Sequence, residues 1–215
     1  MKTPTAGIIL AAGESTRFGE PKQVFALAGE LLIGWPLSAA LGSKLDHVVL
    51  VLGCEHDRIR RRLGSAGDHP KCEIIVIPDY RSGQSASLKA GVLRIRNDFP
   101  SVMFLLGDQP LVDTAVIDLL LDRFAASEKP ICVPTYRGTR GNPVLFASGF
   151  YPHLLAIEGD QGARAIIDGH PHQVLAVEID DPRVFLDVDR REDAEKAAGL
   201  LKARSIRPAV TVRRP

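Results

Sequence analysis

The 215-residue chain has 45% hydrophobic residues, 25% charged residues and a formal net charge of +1 at pH 7. This ordinary composition and small net charge give no indication of a nucleic-acid or membrane partner, and we expect neither. No apolar run approaches the ~20 residues that cross a bilayer, and the N-terminal run is too short for a signal peptide. Three cysteines without metal-like spacing favour a reducing, cytoplasmic location.

Strand-like and helix-like segments alternate along the chain. The predicted strands are 7–10, 47–53, 73–78, 102–110, 131–136, 143–148, 174–179 and 185–189. The predicted helices are 30–41, 55–63, 84–96, 113–126, 160–168 and 190–203. This alternation predicts an α/β fold with a mostly parallel, doubly wound sheet. A turn-rich connection precedes 143–148, which we expect to be an antiparallel strand and to give the sheet a mixed edge.

The alternation continues to residue 203, so we predict a single domain over residues 1–203. Residues 204–215 contain four arginines and no acid, and we predict a basic, disordered tail there. In a doubly wound sheet, ligands bind at the carboxyl ends of the strands. Polar clusters at 11–22, 79–87 and 107–110 follow predicted strands, so we expect the chemistry at that edge.

The loop after the first strand reads LAAGESTRFGEPK. Gly13 and Gly19 allow close approach of the backbone to a ligand, while Arg17 and Lys22 add positive charge. The pattern indicates an anion with several oxygens, most simply a nucleoside triphosphate. It is neither a phosphate-binding loop of the G-K-[ST] type nor a GxGxxG fingerprint. The alternative is a solvated surface loop.

Asp108 ends a predicted strand in the sequence GDQP. A carboxylate there is either a Mg²⁺ ligand or a cap of the next helix. Magnesium usually takes one or two protein carboxylates together with phosphate oxygens and water. Asp113 is better placed to cap the 113–126 helix, which favours the metal interpretation for Asp108.

Asp187 and Asp189 fall on one face of the predicted strand 185–189, because side chains alternate along a strand. Two neighbouring carboxylates are unfavourable unless a cation lies near them. The pattern therefore predicts that both contribute to a Mg²⁺ site. The alternative is that Asp189 caps the last helix together with Glu192, and the two roles are compatible.

Weaker signals lie in two further segments. Gly83 and Ser87 belong to a cluster of small hydroxyls that suits hydrogen bonding to a nucleotide base or, equally, the start of a helix. Arg164 follows two glycines in GDQGAR and suits a second anionic group, while Asp160 is placed to cap the 160–168 helix.

Taken together, these motifs resemble the molybdenum cofactor nucleotidyltransferases. LAAGESTRFGEPK is similar to their signature L-A-A-G-x-S-x-R-M-G-x-x-K, and PDYRSGQSASLKAG to their P-x-Y/W-x-x-G-x-x-x-S-[LV] segment. GDQP, GTRGNP, GDQGAR and LDVDRREDA follow in family order. Phe18 replaces the usual methionine, Ile77 an asparagine, and Arg190–Arg191 a Thr-Pro pair. The resemblance extends from about Gly7 to Ala194.

The resemblance implies a nucleotidyltransferase fold, Rossmann-like and GT-A-like, and transfer of a nucleoside monophosphate with release of pyrophosphate. It implies catalytic roles for Arg17, Lys22 and Asp108. Nucleotide-binding residues would be Leu10, Ala11, Ala12, Gly13, Arg17, Lys22, Gly83 and Ser87. Acceptor-binding residues would be Asn142, Asp160 and Arg164. The Mg²⁺ ligands would be Asp108, Asp187 and Asp189.

The favoured substrates are CTP and molybdopterin carrying molybdenum, because the cytidylyl branch tends to have L-A-A-G in the first loop where the guanylyl branch has L-A-G-G. Transient contact with a molybdoenzyme follows from such a product. The alternatives are GTP as donor, a sugar or polyol phosphate as acceptor, or a non-catalytic chaperone that binds the cofactor. Two intact carboxylates, Asp108 and Asp187, argue against the chaperone.

Overall fold

The fold is that of a computed structural model, in which residues 3–15, 18–159 and 162–203 are described. Arg17, Asp160 and the segment 204–215, for which the sequence makes predictions, lie outside the described residues. Within the described ranges, no helix has the length and apolar character needed to cross a membrane.

Strands and helices alternate as the sequence predicts. The strands are β1 Thr5–Ala11, β2 Ala26–Leu27, β3 Glu30–Leu31, β4 His47–Leu52, β5 Cys72–Val76, β6 Ser101–Leu106, β7 Ile131–Tyr136, β8 Thr139–Arg140, β9 Val144–Ala147 and β10 Val174–Glu178. The α-helices are α1 Gly34–Gly42, α2 His56–Leu63, α3 Gln84–Ile95, α4 Thr114–Ala125, α5 Tyr151–Leu155, α6 Arg164–Gly169 and α7 Arg191–Ala203. Short 3₁₀ helices lie at Lys22–Val24, Gly64–Ala66, Tyr80–Ser82, Ser148–Phe150, Pro171–Gln173 and Pro182–Phe185.

The central sheet has the order β10-β7-β9-β6-β1-β4-β5, and β8 pairs with β7. β1 lies between β4 and β6 and is parallel to both, with Ile9 opposite Leu50 on one side and Leu105 on the other. β9 lies between β6 and β7 and is antiparallel to both, so the sheet is mixed, as predicted, on the side that holds β7, β8, β9 and β10. The predicted α/β class is therefore confirmed.

Each face of the sheet buries its own apolar cluster. Alternate residues of β1 belong to opposite clusters: Ile9 and Ala11 pack with α1, α2 and α4, whereas Ile8 packs with α3, α5 and α6. A third cluster joins Phe18, the β2–β3 hairpin, α1 and α7, and includes the fully buried Val188. Continuous apolar strands such as 47–53 were predictable because both faces of a parallel sheet are covered.

Helix α1 starts later than residue 30, the predicted start, because Glu30 and Leu31 pair with Ala26 and Leu27 in the β2–β3 hairpin. The two-residue turn of this hairpin has positive φ at both Ala28 (51°) and Gly29 (94°), as a tight hairpin with the usual strand twist requires. The helix then begins at Gly34. Pro36 falls in its first turn, where the backbone N–H that proline lacks would have no partner within the helix.

The prediction of a strand at 185–189 is wrong. The segment follows the 3₁₀ helix Pro182–Phe185 and has no strand pairing. Its Val188 N–H donates to the carbonyl of Asp108 at 2.9 Å. The segment therefore crosses the turn after β6 instead of extending the sheet.

Two helical glycines provide a test of this packing. A Cβ on Gly91 of α3 would lie 2.7 Å from Cγ2 of the fully buried Ile8, whereas a Cβ on the exposed Gly199 of α7 would meet nothing within 4 Å. We expect Gly199→Ala to stabilise the protein by ~0.5–1 kcal/mol, because alanine favours helix. We expect Gly91→Ala to destabilise it by ~1–3 kcal/mol through overpacking.

Urea unfolding of both variants measures these changes in free energy. If Gly91→Ala were as stable as Gly199→Ala, α3 would not lie as close to β1 as described.

Candidate active site at the carboxyl edge of the sheet

The loop after β1 and the turn after β6 lie side by side, because these two strands are parallel neighbours. The Gly107 N–H donates to the Leu10 carbonyl at 3.0 Å. A Cβ at Gly107 would lie 2.9 Å from the Cβ of Ala11, so only glycine allows this close approach. The approach places Asp108 beside the first loop.

A cavity of about 430 Å³ opens at this edge. Most residues that the sequence predicts to bind nucleotide or metal line it. These are Leu10, Ala11, Ala12, Gly13, Lys22, Gly83, Ser87, Asp108 and Asp189. Arg17, also predicted to bind the triphosphate, lies outside the described residues.

Lys22 is the centre of the polar part of this cavity. Its ammonium donates to Asp108 Oδ2 at 2.7 Å, to Asp189 Oδ1 at 2.9 Å and to the carbonyl of Val188 at 3.1 Å. Burial disfavours the charged ammonium, but the charges of Asp108 and Asp189 and their hydrogen bonds outweigh burial and raise the pKa of Lys22. Lys22 is therefore a fixed positive charge at neutral pH.

Two buried oxygen atoms of this region lack a hydrogen-bond partner among the described residues. One of them is Asp108 Oδ1. Asp187 Oδ1 accepts from Gln109 Nε2 at 2.8 Å, and the remaining Gln109 amide oxygen is also buried without a partner. Burial and the negative charge of Asp108 raise the pKa of Asp187. The cluster therefore holds more negative charge than Lys22 compensates.

Hard oxygen donors of this kind fit a divalent cation, and the unpartnered Asp108 Oδ1 is the strongest indication. Among the described residues, no group of three or more Asp, Glu, His or Cys side chains is arranged to hold a metal ion. Lys22 lies between Asp108 and Asp189, two of the three predicted ligands. Magnesium needs only one or two protein carboxylates when phosphate and water complete its shell, so a site of two carboxylates, such as Asp108 and Asp187, is compatible with this arrangement.

Gln23, which the sequence reasoning missed, fixes the shape of the first loop. Its side chain is 4% exposed, and its Nε2 donates to the carbonyls of Gly13 at 2.8 Å and Ala11 at 3.3 Å. Because C=O and N–H point in opposite directions across a trans peptide, these bonds also fix the direction of the N–H groups of Ala12 and Glu14.

A second cavity, of about 640 Å³, shares Leu10, Gln84 and Leu106 with the first and therefore adjoins it. The predicted acceptor residues Asn142 and Arg164 line it, whereas Asp160 lies outside the described residues. Part of its lining is apolar. The apolar lining residues, most of them buried, are Leu88, Phe104, Leu106, Val133, Val144 and Ile167.

The rim of the second cavity carries a charge pair that the sequence reasoning did not anticipate. Arg140, from β8, bonds to Asp168 of α6, and Arg164 Nε lies 3.9 Å from the same carboxylate. The Arg164 side chain is 91% exposed, so it lies at the mouth of the cavity. Arg140 could have been suspected from its place in GTRGNP.

The capping predictions are confirmed in part. Asp113 Oδ1 accepts from the N–H of Val116 at 3.0 Å and caps α4, which leaves Asp108 for another role. At the start of α7, Asp193 accepts from the N–H groups of Asp189 and Arg190, a contact that the sequence reasoning missed. Asp189 turns its own Oδ1 to Lys22.

Known proteins resemble this chain over most of its length. PucB, a purine catabolism protein of Bacillus subtilis (strain 168), is 29% identical over 200 residues, which cover 90% of this chain and 96% of PucB. A probable molybdenum cofactor guanylyltransferase of Thermococcus kodakarensis is 29% identical over 151 residues, 69% of each chain.

A solved structure agrees with the fold. The crystal structure of Rv0371c from Mycobacterium tuberculosis H37Rv superposes with a TM-score of 0.81 at 28% identity, covering 93% of this chain and 99% of that one. Rv0371c has also been solved in complex with manganese, with a TM-score of 0.77, 27% identity and coverage of 92% and 99%.

The family model of the MobA-like NTP transferase domain matches residues 7–174 of this chain. These residues include the strands that border the two cavities, and both Lys22 and Asp108. The match confirms the MobA-like part of the resemblance, while the molybdenum cofactor as substrate and the cytidylyl branch stay predictions. The chain therefore belongs to the MobA-like NTP transferase family and is a nucleotidyltransferase.

Proposed function

We propose that this nucleotidyltransferase transfers CMP from CTP to molybdopterin carrying molybdenum and releases pyrophosphate. The observation that carries the proposal is the pair of adjoining cavities at the carboxyl edge of the sheet. The first has a glycine-containing loop, the fixed positive charge of Lys22 and carboxylates, which together suit a nucleoside triphosphate and its metal ion. The second, of about 640 Å³, has room for a large acceptor.

In this reaction an oxygen of the acceptor phosphate attacks the α-phosphorus of CTP. The bond from that phosphorus to the oxygen bridging to the β-phosphate breaks, and pyrophosphate leaves. Such chemistry depends on positioning and charge compensation more than on a protein nucleophile. Lys22 would place its charge on the triphosphate, and the 12–15 loop would offer backbone N–H groups in directions fixed by Gln23. Arg17 is proposed to assist.

A divalent cation, Mg²⁺, would stabilise charge at the reacting α-phosphate when bound. Asp108 and Asp187 would hold it, with Asp189 near, because Asp108 Oδ1 is buried without a partner among the described residues and Asp187 Oδ1 is held in place by Gln109. The manganese complex of the relative Rv0371c supports a divalent ion in this fold.

The lining of the second cavity favours a pterin-type acceptor over a sugar or polyol phosphate. Phe104 and Ile167 line part of the cavity, and the ring of a pterin would lie against them, whereas a polyol would leave these apolar side chains without a matching contact. Arg140 and Arg164, which line this cavity together with Asn142, would meet an acceptor phosphate.

GTP is the second candidate donor, because the Thermococcus kodakarensis relative is named a guanylyltransferase. Ala12 separates the two candidates. Its side chain is 4% exposed and packs in the cluster of α3, the helix whose first residues line the first cavity. A methyl group here reduces the room for a purine.

The reaction is tested by pyrophosphate release from purified protein with Mg²⁺, each of the common nucleoside triphosphates, and either molybdopterin carrying molybdenum or a sugar phosphate. We expect release with CTP and the molybdenum acceptor. Release with a sugar phosphate alone would move the enzyme to another acceptor class. Absence of release with every acceptor would favour a cofactor-binding chaperone.

Asp108→Asn should fold normally and lower the rate of transfer by about 10²- to 10³-fold, because it removes one preorganised electrostatic contact. The matched control is Asp122→Asn, a change of an exposed carboxylate that pairs with Lys44. Single-turnover rates with CTP measure both variants. Near wild-type turnover of Asp108→Asn would assign Asp108 a structural role.

Ala12→Gly should relax the preference for CTP over GTP without reversing it. A difference of one methyl group in a pocket is worth about 10- to 200-fold in discrimination. Ala11→Gly is the matched control, because Ala11 lines the same cavity but its methyl packs in the cluster on the opposite face of the sheet. The ratio of kcat/KM for the two nucleotides decides the matter, and a wild-type preference for GTP would overturn the cytidylyl assignment.

A further inference from the structure

The three hydrogen-bond donors of the Lys22 ammonium all have acceptors. They go to Asp108 Oδ2, Asp189 Oδ1 and the Val188 carbonyl, over 2.7 to 3.1 Å. The Lys22 side chain is 16% exposed and that of Asp108 is 23% exposed, so solvent screens this contact only in part. The lysine thus holds the carboxylate that the proposed function assigns to the metal.

We propose that Lys22 and the divalent cation compete for the Asp108 carboxylate, so that the metal binds strongly only after a nucleoside triphosphate has drawn Lys22 away. The inference rests on the proposed function, which supplies the triphosphate. It adds an order of binding and a role for Lys22 as the resident counter-ion of the metal site.

Charge balance supports this exchange. Taken by themselves, Asp108, Asp187 and Asp189 carry three formal negative charges and Lys22 one positive charge, so these four side chains sum to a charge of −2. A dication that entered beside Lys22 would be attracted by this negative charge. It would also lie within a few ångströms of the ammonium, where repulsion between like charges is strong. Moving Lys22 onto the triphosphate removes that repulsion and exposes Asp108 Oδ2 together with the unpartnered Oδ1.

Metal and nucleotide are then thermodynamically coupled. A nucleotide that takes up Lys22 raises the affinity for the metal, and the metal raises the affinity for the nucleotide by the same factor. The coupling weakens metal binding in the absence of the triphosphate, and in both states a cation, either the Lys22 ammonium or the metal, lies against Asp108.

The test measures Mn²⁺ binding alone, without nucleotide, by the electron paramagnetic resonance signal of unbound Mn²⁺ and by calorimetry. We expect the neutral variants Lys22→Met and Lys22→Gln to bind Mn²⁺ about 10- to 100-fold more tightly than wild type, because the competing charge is gone. Lys22→Arg, which keeps the charge, should bind Mn²⁺ as weakly as wild type.

Circular dichroism establishes that each variant is folded. If Lys22→Met does not fold, Lys22→Gln, whose amide can still donate to Asp108, provides the same comparison. Neutral variants that bind Mn²⁺ no more tightly than wild type overturn the inference.

A double variant locates the ion. Adding Asp108→Asn to Lys22→Gln should abolish the gain in Mn²⁺ affinity, and a gain that persists would place the ion elsewhere and overturn the inference. Pyrophosphate release by the wild-type protein reports separately on the proposed function. If pyrophosphate is released but the neutral Lys22 variants bind Mn²⁺ no more tightly, only the exchange is wrong. If those variants bind Mn²⁺ more tightly but no pyrophosphate is released, only the proposed function is wrong.

Discussion

The contact of Lys22 with Asp108 and Asp189 brings together three segments that are far apart in the chain. Lys22 is 86 residues from Asp108 and 167 residues from Asp189. The first segment is the loop after β1, the second the turn after β6, and the third the connection into α7. Breaking such a partly buried pair on one side leaves an uncompensated charge, which is far more costly than loss of a surface ion pair. The edge of the sheet therefore depends on this one cluster of charges.

Apolar packing delivers the charges to that edge. Val188, between Asp187 and Asp189, is fully buried in the cluster that also holds Phe18 and α7. Its N–H bonds to the Asp108 carbonyl, and its own carbonyl accepts from Lys22. The buried Val188 side chain thus positions Asp187 and Asp189 beside the turn that carries Asp108. The hydrophobic cluster and the polar site form one unit.

The sequence predicted the parts of the fold that depend on local pattern. Continuous apolar strands, the amphipathic α4 and its Asp113 cap were readable because their signals are contained within a few residues. The Ala28–Gly29 turn was missed because alanine with positive φ gives no turn signal. Residues 185–189 alternate like a strand, yet they lie across the Asp108 turn, a long-range contact that spacing does not show.

For the candidate active site, too, the sequence predicted what depends on local pattern and not what depends on long-range contacts. Lys22 and Asp108 were identified individually, from the loop pattern and from the end of a strand. That they bond to one another could not be read from the sequence, because the contact arises from the parallel pairing of β1 and β6. Gln23 and Gln109 gave no motif signal, since their importance comes from the carbonyl and carboxylate that they meet in the folded chain.

The exchange of Lys22 for a metal ion is tested most directly by a crystal structure with Mn²⁺ and a non-hydrolysable CTP analogue. We expect anomalous density for Mn²⁺ within coordination distance of Asp108 and the α-phosphate, and the Lys22 ammonium on the phosphates, away from its present position 2.7 Å from Asp108 Oδ2. A ternary complex in which Lys22 keeps its contacts with Asp108 and Asp189, while Mn²⁺ binds elsewhere, would contradict the proposed exchange.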